Sequence, residues 1–254
     1  MIYIVLSIIL IFCIALLLYM IKEAFEHNVL HHVIELKGVC EEQFKLFFIS
    51  DIHNRIIREE EIGDKKGNFD GVIIGGDLAD KRTPIERLIK NIQFLTTLGP
   101  VYFIWGNNDR EVGEERLRKI LSDSNVTIIE NDAILLPNRK NTIWINAIDD
   151  TTTNNVDFDK TFAKTEAKDL VFFVSHNPQV FSGVLTQYKV DFLMGGHLHG
   201  GQIRLGPFGI YPHGSFSYKK GVPVLISNGY GTTLLPLRFG AKPQCHIIDV
   251  KITM

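Results

Sequence analysis

The apolar positions of this 254-residue chain change period as it runs from one end to the other. Ile2 to Ile21 is apolar and uncharged, with Ser7 its one polar break. Twenty helical residues cover about 30 Å, the thickness of a bilayer's hydrocarbon core. The stretch therefore predicts an uncleaved transmembrane anchor over residues 1–21. A cleaved signal would carry a basic leader, a shorter apolar run and a small-x-small site, none of which surrounds Leu18-Tyr19-Met20-Ile21-Lys22. Phe12 before Cys13 also departs from a lipoprotein signal, which needs a small residue there. From Lys22 to about Glu42 the pattern is mixed. Phe25, Val29, Val33 and Leu36 recur at helical spacing between Glu and His residues, which predicts a helix-compatible juxtamembrane segment, residues 22–43.

At Phe44 the pattern changes again, to short apolar runs alternating with helical stretches, the signature of βαβ units in a domain over residues 44–254. Strands are expected at Phe44 to Ile49, Gly71 to Ile74 and Val101 to Trp105. Further strands are expected near Val126 to Ile129, Ala133 to Leu136 and Thr142 to Ala147, then at Asp169 to Val174 and Val190 to Met194. One helix is expected from Thr83-Pro84 to Leu98, with Thr83 as N-cap and Gly99 as its stop, and a charged one from Glu111 to Leu121.

The chemistry sits where five of these strands end. The first runs into Ser50-Asp51-Ile52-His53, the second into Gly75-Gly76-Asp77-Leu78-Ala79-Asp80, and the third into Gly106-Asn107-Asn108-Asp109. The Asp169 strand runs into Ser175-His176-Asn177-Pro178, and the last into Gly195-Gly196-His197-Leu198-His199-Gly200-Gly201. In α/β sheets the carboxyl ends of strands are where connecting loops converge on a ligand. Singly, each motif reads as an ordinary polar turn. Jointly, oxygen and nitrogen donors at every one of these ends predict a metal site.

Composition narrows the setting. With 45% hydrophobic and 22% charged residues and a net charge of −2, the chain has no electrostatic footprint for nucleic acid, which is not expected as a partner. Cys13, Cys40 and Cys245 form no spaced pair, so neither a zinc ribbon nor a disulfide framework is indicated. No Lys or Arg precedes the apolar span, whereas Lys22, Lys37 and Lys45 follow it. The positive-inside rule then leans toward a single-pass protein of the cell membrane with its domain in the cytoplasm.

The order of motifs resembles the calcineurin-like metallophosphoesterase superfamily, whose pattern is D-x-H, G-D, G-N-H-(D/E), a lone His and G-H-x-H. The match runs from about Phe44 to Gly201, and Ser227-Asn-Gly-Tyr-Gly231 and Leu235-Pro-Leu-Arg-Phe239 are similar to its bacterial membrane-associated phosphodiesterase branch. The resemblance implies an α/β sandwich of two mixed β-sheets flanked by helices. It also implies two divalent cations, Mn, Fe or Zn. Asp51, His53 and His199 would hold one, Asn107, His176 and His197 the other, and Asp77 would bridge them. A hydroxide held by such a pair attacks phosphorus, which makes the implied function a phosphodiesterase or pyrophosphatase acting on a membrane- or envelope-related phosphoester, lipid-linked in one version.

One position departs from the pattern. Asn108 stands where the superfamily has the histidine of G-N-H. An amide donates a hydrogen bond but releases no proton at any relevant pH, so the departure implies slower turnover, a good leaving group or a substitute acid. His213, in Ile210-Tyr-Pro-His-Gly214, is one substitute, although an exposed loop histidine is the plainer reading. The competing function is a metal-binding regulatory or scaffold protein whose catalysis is weakened at Asn108. Asp109 is expected to orient a ligand or its loop, Asp80 to support a histidine or cap a turn, Arg110 to be a solvated charge, and Trp105 and His246 to be structural.

Overall fold

The structure, a computed structural model, describes residues 1–62 and 67–254. In chain order its first elements are helix α1 (Ile2–Ala24), strands β1 (Val29–Lys37), β2 (Glu42–Ile49) and β3 (Gly71–Gly75), helix α2 (Ile85–Leu98), strand β4 (Val101–Ile104) and helix α3 (Glu114–Asp123). Strands β5 (Thr127–Ile129), β6 (Asp132–Leu135) and β7 (Ile143–Ala147) follow, then helix α4 (Phe158–Phe162), strand β8 (Leu170–Val174), helix α5 (Phe181–Gln187) and strand β9 (Phe192–Gly195). The chain closes with strands β10 (Arg204–Leu205), β11 (Phe208–Gly209), β12 (Ser215–Lys219), β13 (Val222–Ile226) and β14 (Cys245–Thr253).

Two six-stranded mixed sheets carry the domain, in the orders β1-β14-β2-β3-β4-β5 and β12-β13-β9-β8-β7-β6. Period-2 alternation explains why they stack. In β2, Phe44, Leu46 and Phe48 face the second sheet, where they meet Phe172, Val174, Phe192 and Met194. The alternate residues Phe47 and Ile49 face outward onto Leu88, Ile92 and Leu95 of α2 and Leu117 of α3. The other sheet repeats the device, with Phe173 and Leu193 turned to Phe181 and Val184 of α5. The expected sandwich of two mixed sheets flanked by helices is the observed fold.

Several local expectations give way. The segment read as helix-compatible is a strand: β1 pairs in parallel with β14, from Val29↔Cys245 to Lys37↔Thr253. Its buried residues are Ile34 and Leu36, two apart, while Val33 is 48% exposed. Thr83 does not cap α2. Its Oγ1 accepts from Asp80 N at 3.0 Å, and the carbonyl of Pro84 receives the first helical N–H groups. Gly99 does end α2, in a place where a Cβ would collide with the Phe69 carbonyl. Gly113, at φ 97°, splits the charged helix into a 3-10 turn over Asp109–Val112 and α3. None of the three cysteines is in a disulfide. Helix α1 leaves its side chains exposed through Tyr19 and is long and apolar enough to cross a membrane.

His246 of β14 is structural. Its Nε2 lies 2.9 Å from Ser227 Oγ and its Nδ1 3.1 Å from His32 Nε2. Burial, with a smaller push from His32, moves its pKa from 6.5 down to about 3. The unfolded chain therefore binds the extra proton between those two values, and stability that is complete above pH 6.5 is lost as pH falls toward 3. The slope approaches about 1.4 kcal/mol per pH unit. The melting temperature is expected to fall less steeply from pH 7 to pH 5 in His246→Gln than in the native chain. Parallel curves would refute this role.

Candidate metal centre

Parallel strands β2, β3 and β4 of one sheet and β8 and β9 of the other all deliver donors from their carboxyl ends. The donors meet in two buried groups, Asp51–His53–His199 and Asp51–Asp77–His176, with ligand atoms in each within 4.8 Å of one another. Asp51 belongs to both. Asp77 Oδ2 lies 3.7 Å from His53 Nε2 and 3.3 Å from His176 Nε2, so it faces one histidine of each group. Ring nitrogens also converge in pairs, His53 Nε2 with His199 Nε2 at 3.2 Å and His197 Nδ1 with His176 Nε2 at 3.2 Å. Asn107 hangs beside this cluster, because the next residue's N–H donates to Asp77 Oδ1 at 2.8 Å.

The backbone is bent to make this possible. Asp51, His53, Asp77, His197 and His199 all have left-handed φ values between 48° and 71°. Each such residue costs on the order of 1–2 kcal/mol. The loops hold one another in that shape. Asp51 N donates to Gly76 O at 2.9 Å, and His53 N to Asp77 O at 3.1 Å. His197 N donates to Asp51 Oδ1 at 3.0 Å, and Asp77 N to Asp109 Oδ2 at 2.8 Å. A Cβ on Gly106 would run into Asp77, and one on Gly196 into Asp51.

Charge is arranged around the two carboxylates. Burial opposes ionisation of Asp51, but His199, His176 and His53 hold it well below the usual carboxylate range. Asp77 is lowered in the same way, burial opposing its ionisation while His176 and His53 together favour it. His176 is buried too, yet Asp77 and Asp51 raise it to about 10. His53 also rises against its own burial, through Asp80, Asp77 and Asp51. Burial lowers His197 and His199.

The residues fit a divalent metal. Asn107 Oδ1 is buried with no hydrogen-bond partner, the state expected of an oxygen shaped to be a ligand. Its orientation is set by Asn108, whose Oδ1 accepts from Asn107 Nδ2 at 3.0 Å. A mixed imidazole, carboxylate and amide set suits Mn, Fe or Zn over softer ions. The remaining histidine nitrogens are steadied from outside, as metal-binding imidazoles generally are. His176 Nδ1 lies 2.9 Å from Gly75 O, and His53 Nδ1 lies 3.3 Å from Asp80 Oδ2. Asp80 is therefore the support for His53, and Arg82 is ion-paired to it in turn.

Asp109 orients the loops as expected. Fully buried, it accepts from Gly106 N at 2.7 Å, Asp77 N at 2.8 Å and Ala79 N at 3.2 Å. Burial and the Asp77 charge push it up to about 7. Arg110 is not a solvated charge. It stacks on Trp105 at 4.4 Å and binds Asp149 at 2.9 Å and Glu114 at 2.8 Å. His213 stays at an exposed loop, bonded to Gly214 O and Asn228. The buried Arg204 and Arg238 were not anticipated. Arg238 donates to His199 O at 3.2 Å, Ala241 O at 2.6 Å and Gly231 O at 2.7 Å, and Arg204 donates to Gly200 O at 2.7 Å. Their one sequence signal is a lone charge in an apolar run, which names no partner.

Removing Asp109 orphans three buried N–H groups, at about 1–3 kcal/mol each. Asp109→Ala is expected to lower the melting temperature by on the order of 10 °C and to weaken metal binding, both readable in a thermal melt with and without Mn²⁺. An unchanged melt would show that the loops do not depend on it.

Comparison with known proteins agrees with this geometry. The model of the calcineurin-like phosphoesterase family matches residues 44–201. The uncharacterized protein YpbG of Bacillus subtilis is 38% identical over 207 residues, covering 81% of this chain and 80% of that protein. The phosphodiesterase YaeI of Escherichia coli is 24% identical over 234 residues, covering 82% of each. Among solved structures, the 5'-nucleotidase precursor of Thermus thermophilus superposes with a TM-score of 0.51 at 12% identity, over 82% of this chain and 55% of that one, a likeness of fold alone. With donors at five strand ends and the family model spanning the same loops, this chain belongs to the calcineurin-like phosphoesterase family and is a metal-dependent phosphoester hydrolase.

Proposed function

We propose that the cluster holds two divalent cations and that the protein is a membrane-anchored phosphodiesterase or pyrophosphatase. The observation that carries this is the sharing of Asp51 by both ligand groups, with Asp77 Oδ2 facing a histidine of each. Asp51, His53 and His199 serve one cation, His176, His197 and Asn107 the other, and Asp77 lies between. When bound, such a pair acidifies water and offsets charge on the phosphoryl oxygens.

The chain's own residues do the rest. Asp51 and Asp77 stay ionised, because the surrounding imidazoles favour their charged form. His53 and His176 are oriented from behind by Asp80 and the Gly75 carbonyl. Asn108 Nδ2 lies 3.4 Å from Glu111 Oε1, next to Asn107, and is the donor assigned to the substrate. It steadies a leaving-group oxygen without giving it a proton. Substrates whose leaving group is already a good anion, such as a pyrophosphate, lose least from that exchange.

Helix α1 supports a membrane-borne substrate, a phosphodiester or pyrophosphate of a lipid or envelope precursor. The printed name of the Escherichia coli relative, a phosphodiesterase, favours the diester. Lys22, just beyond the span, favours a cytoplasmic domain.

One set of rates tests the reading. Hydrolysis of bis-p-nitrophenyl phosphate by the full chain in detergent is expected to depend on added Mn²⁺ and to vanish in Asp77→Asn. Asn108→His is expected to speed poor leaving groups by up to about 10²–10⁴-fold and good ones much less. Turnover that survives in Asp77→Asn would sink the two-cation reading, and equal gains on both substrate types would sink the role given to Asn108.

A further inference from the structure

The loop that carries His197 and His199 runs straight into a short hairpin. Strands β10 and β11 pair Arg204 with Gly209 and Leu205 with Phe208, and Gly206-Pro207 turns between them. Side chains alternate along a strand. Ile203 and Leu205 are accordingly exposed, while Arg204 between them is buried and curls under the hairpin. Its guanidinium donates to Gly200 O at 2.7 Å, Tyr211 O and Pro207 O at 2.9 Å and Gly206 O at 3.2 Å. A Cβ on Gly209 would lie 2.8 Å from Arg204 Nη1, so glycine leaves room for it.

The outward side of the hairpin is apolar. Phe208 is 76% exposed and Ile210 82%, and residues 205–212 include no charged residue. A second apolar loop is fastened beside it. The Gln202 amide accepts from Thr233 N at 3.0 Å and donates to Thr233 O at 3.3 Å. The next two residues are Leu234, 83% exposed, and Leu235, also exposed. Single exposed apolar side chains need no explanation, but six on adjoining loops mark a contact surface.

The end of α1 identifies what covers this surface. Ile203 bridges to Phe239 and Gly240, and Arg204 N donates to Phe239 O at 2.8 Å. The Phe239 ring meets that of Tyr19 at 5.9 Å, and Arg238 N donates to Met20 O at 3.1 Å. Tyr19 and Met20 lie in the last turn of the apolar run, where a span passes from hydrocarbon to headgroups. The hairpin and the Leu234 loop are thus joined through Phe239 to the membrane boundary. Backbone carbonyls beside lipid need partners inside the protein, and Arg204 supplies them to Gly206, Pro207 and Tyr211.

We propose that the β10–β11 hairpin and the Leu234-Leu235 loop are seated in the apolar boundary of the leaflet where α1 ends, a second membrane contact beside the span. This contact holds the His199 loop at the bilayer surface, since Arg204 binds both Gly200 O and the hairpin. The proposal rests on α1 being a membrane span and does not need the hydrolytic reaction.

The test places single tryptophans in the full chain, reconstituted in phosphatidylcholine vesicles with or without bromine on the acyl chains. The emission of the native Trp105 and Trp144 is subtracted. Bromine quenches an indole that touches lipid. Phe208→Trp, Ile210→Trp and Leu234→Trp are each expected to lose about half of their added emission, more with bromine near the headgroup than at the chain end, as a seat about 5–10 Å deep requires. Val39→Trp, exposed past the far end of β1 from α1, is expected to lose none. Phe12→Trp, midway along α1, reports the span itself and is expected to be quenched most by bromine at the chain end. Quenching in Phe12→Trp without quenching in Phe208→Trp and Leu234→Trp would overturn the proposal and leave the span standing. No quenching in Phe12→Trp would overturn both. Quenching in Val39→Trp equal to that in Phe208→Trp would overturn the proposal as unselective contact. Blue-shifted emission in Phe208→Trp that bromine leaves intact, and that grows with the protein-to-lipid ratio, would overturn it in favour of a second copy of this chain.

Discussion

Everything at the centre of this protein turns on one buried carboxylate that must serve two sets of partners. Asp51 takes a hydrogen bond from Ser50 Oγ at 2.6 Å and a forked one from His197 N–H to both its oxygens, and it still sits 3.2 Å from His199 Nε2. A bare carboxylate in that position would be strongly disfavoured by burial. It is tolerable because imidazoles of three loops surround it, and those loops come from both sheets. The two-sheet architecture is therefore a condition of the site: β2 and β3 bring the carboxylates, β8 and β9 bring three of the four histidines.

The cost of gathering these groups appears in the backbone. Five candidate ligands occupy left-handed conformations, which other structure has to over-determine. Asp109 does so for the Asp77 loop through its hold on three N–H groups, and Arg238 and Arg204 do so for the last loop by gathering carbonyls around His199 and Gly200. Arg238 is fully buried, and that burial lowers it to about 9 even though its partners are carbonyl dipoles. The backbone N–H of the same residue donates to Met20 O near the end of α1 at 3.1 Å. The end of α1 and a histidine of the candidate metal centre are thus one arginine apart.

The site was more legible in the sequence than the fold around it. Metal ligation needs particular side chains at strand ends, so Asp51, His53, Asp77, Asn107, His176, His197 and His199 stand out by type and position as candidates, and the structure gathers Asp51, His53, Asp77, His176 and His199 into two groups of potential ligands. What supports them is non-local. β1 shows 3–4 spacing at Phe25, Val29, Val33 and Leu36, yet it is built on Ile34 and Leu36, and its pairing partner β14 lies over 200 residues away. Arg110 reads as a surface charge until Asp149 and Trp105 are seen beside it. Thr83 has the right residue type for a cap, but a turn with Asp80 takes its hydroxyl. Arg204 and Arg238 bind carbonyls, which every residue carries, so no spacing marks their partners. Asn108 was visible as a departure, while its hold on Asn107 needed coordinates.

The most direct test of the account is anomalous X-ray scattering from crystals of the protein grown with Mn²⁺. The account predicts two peaks about 3.5–4 Å apart, one against Asp51, His53 and His199, the other against Asn107, His176 and His197, with Asp77 in reach of both. A single peak, or peaks away from Asp51, would contradict it.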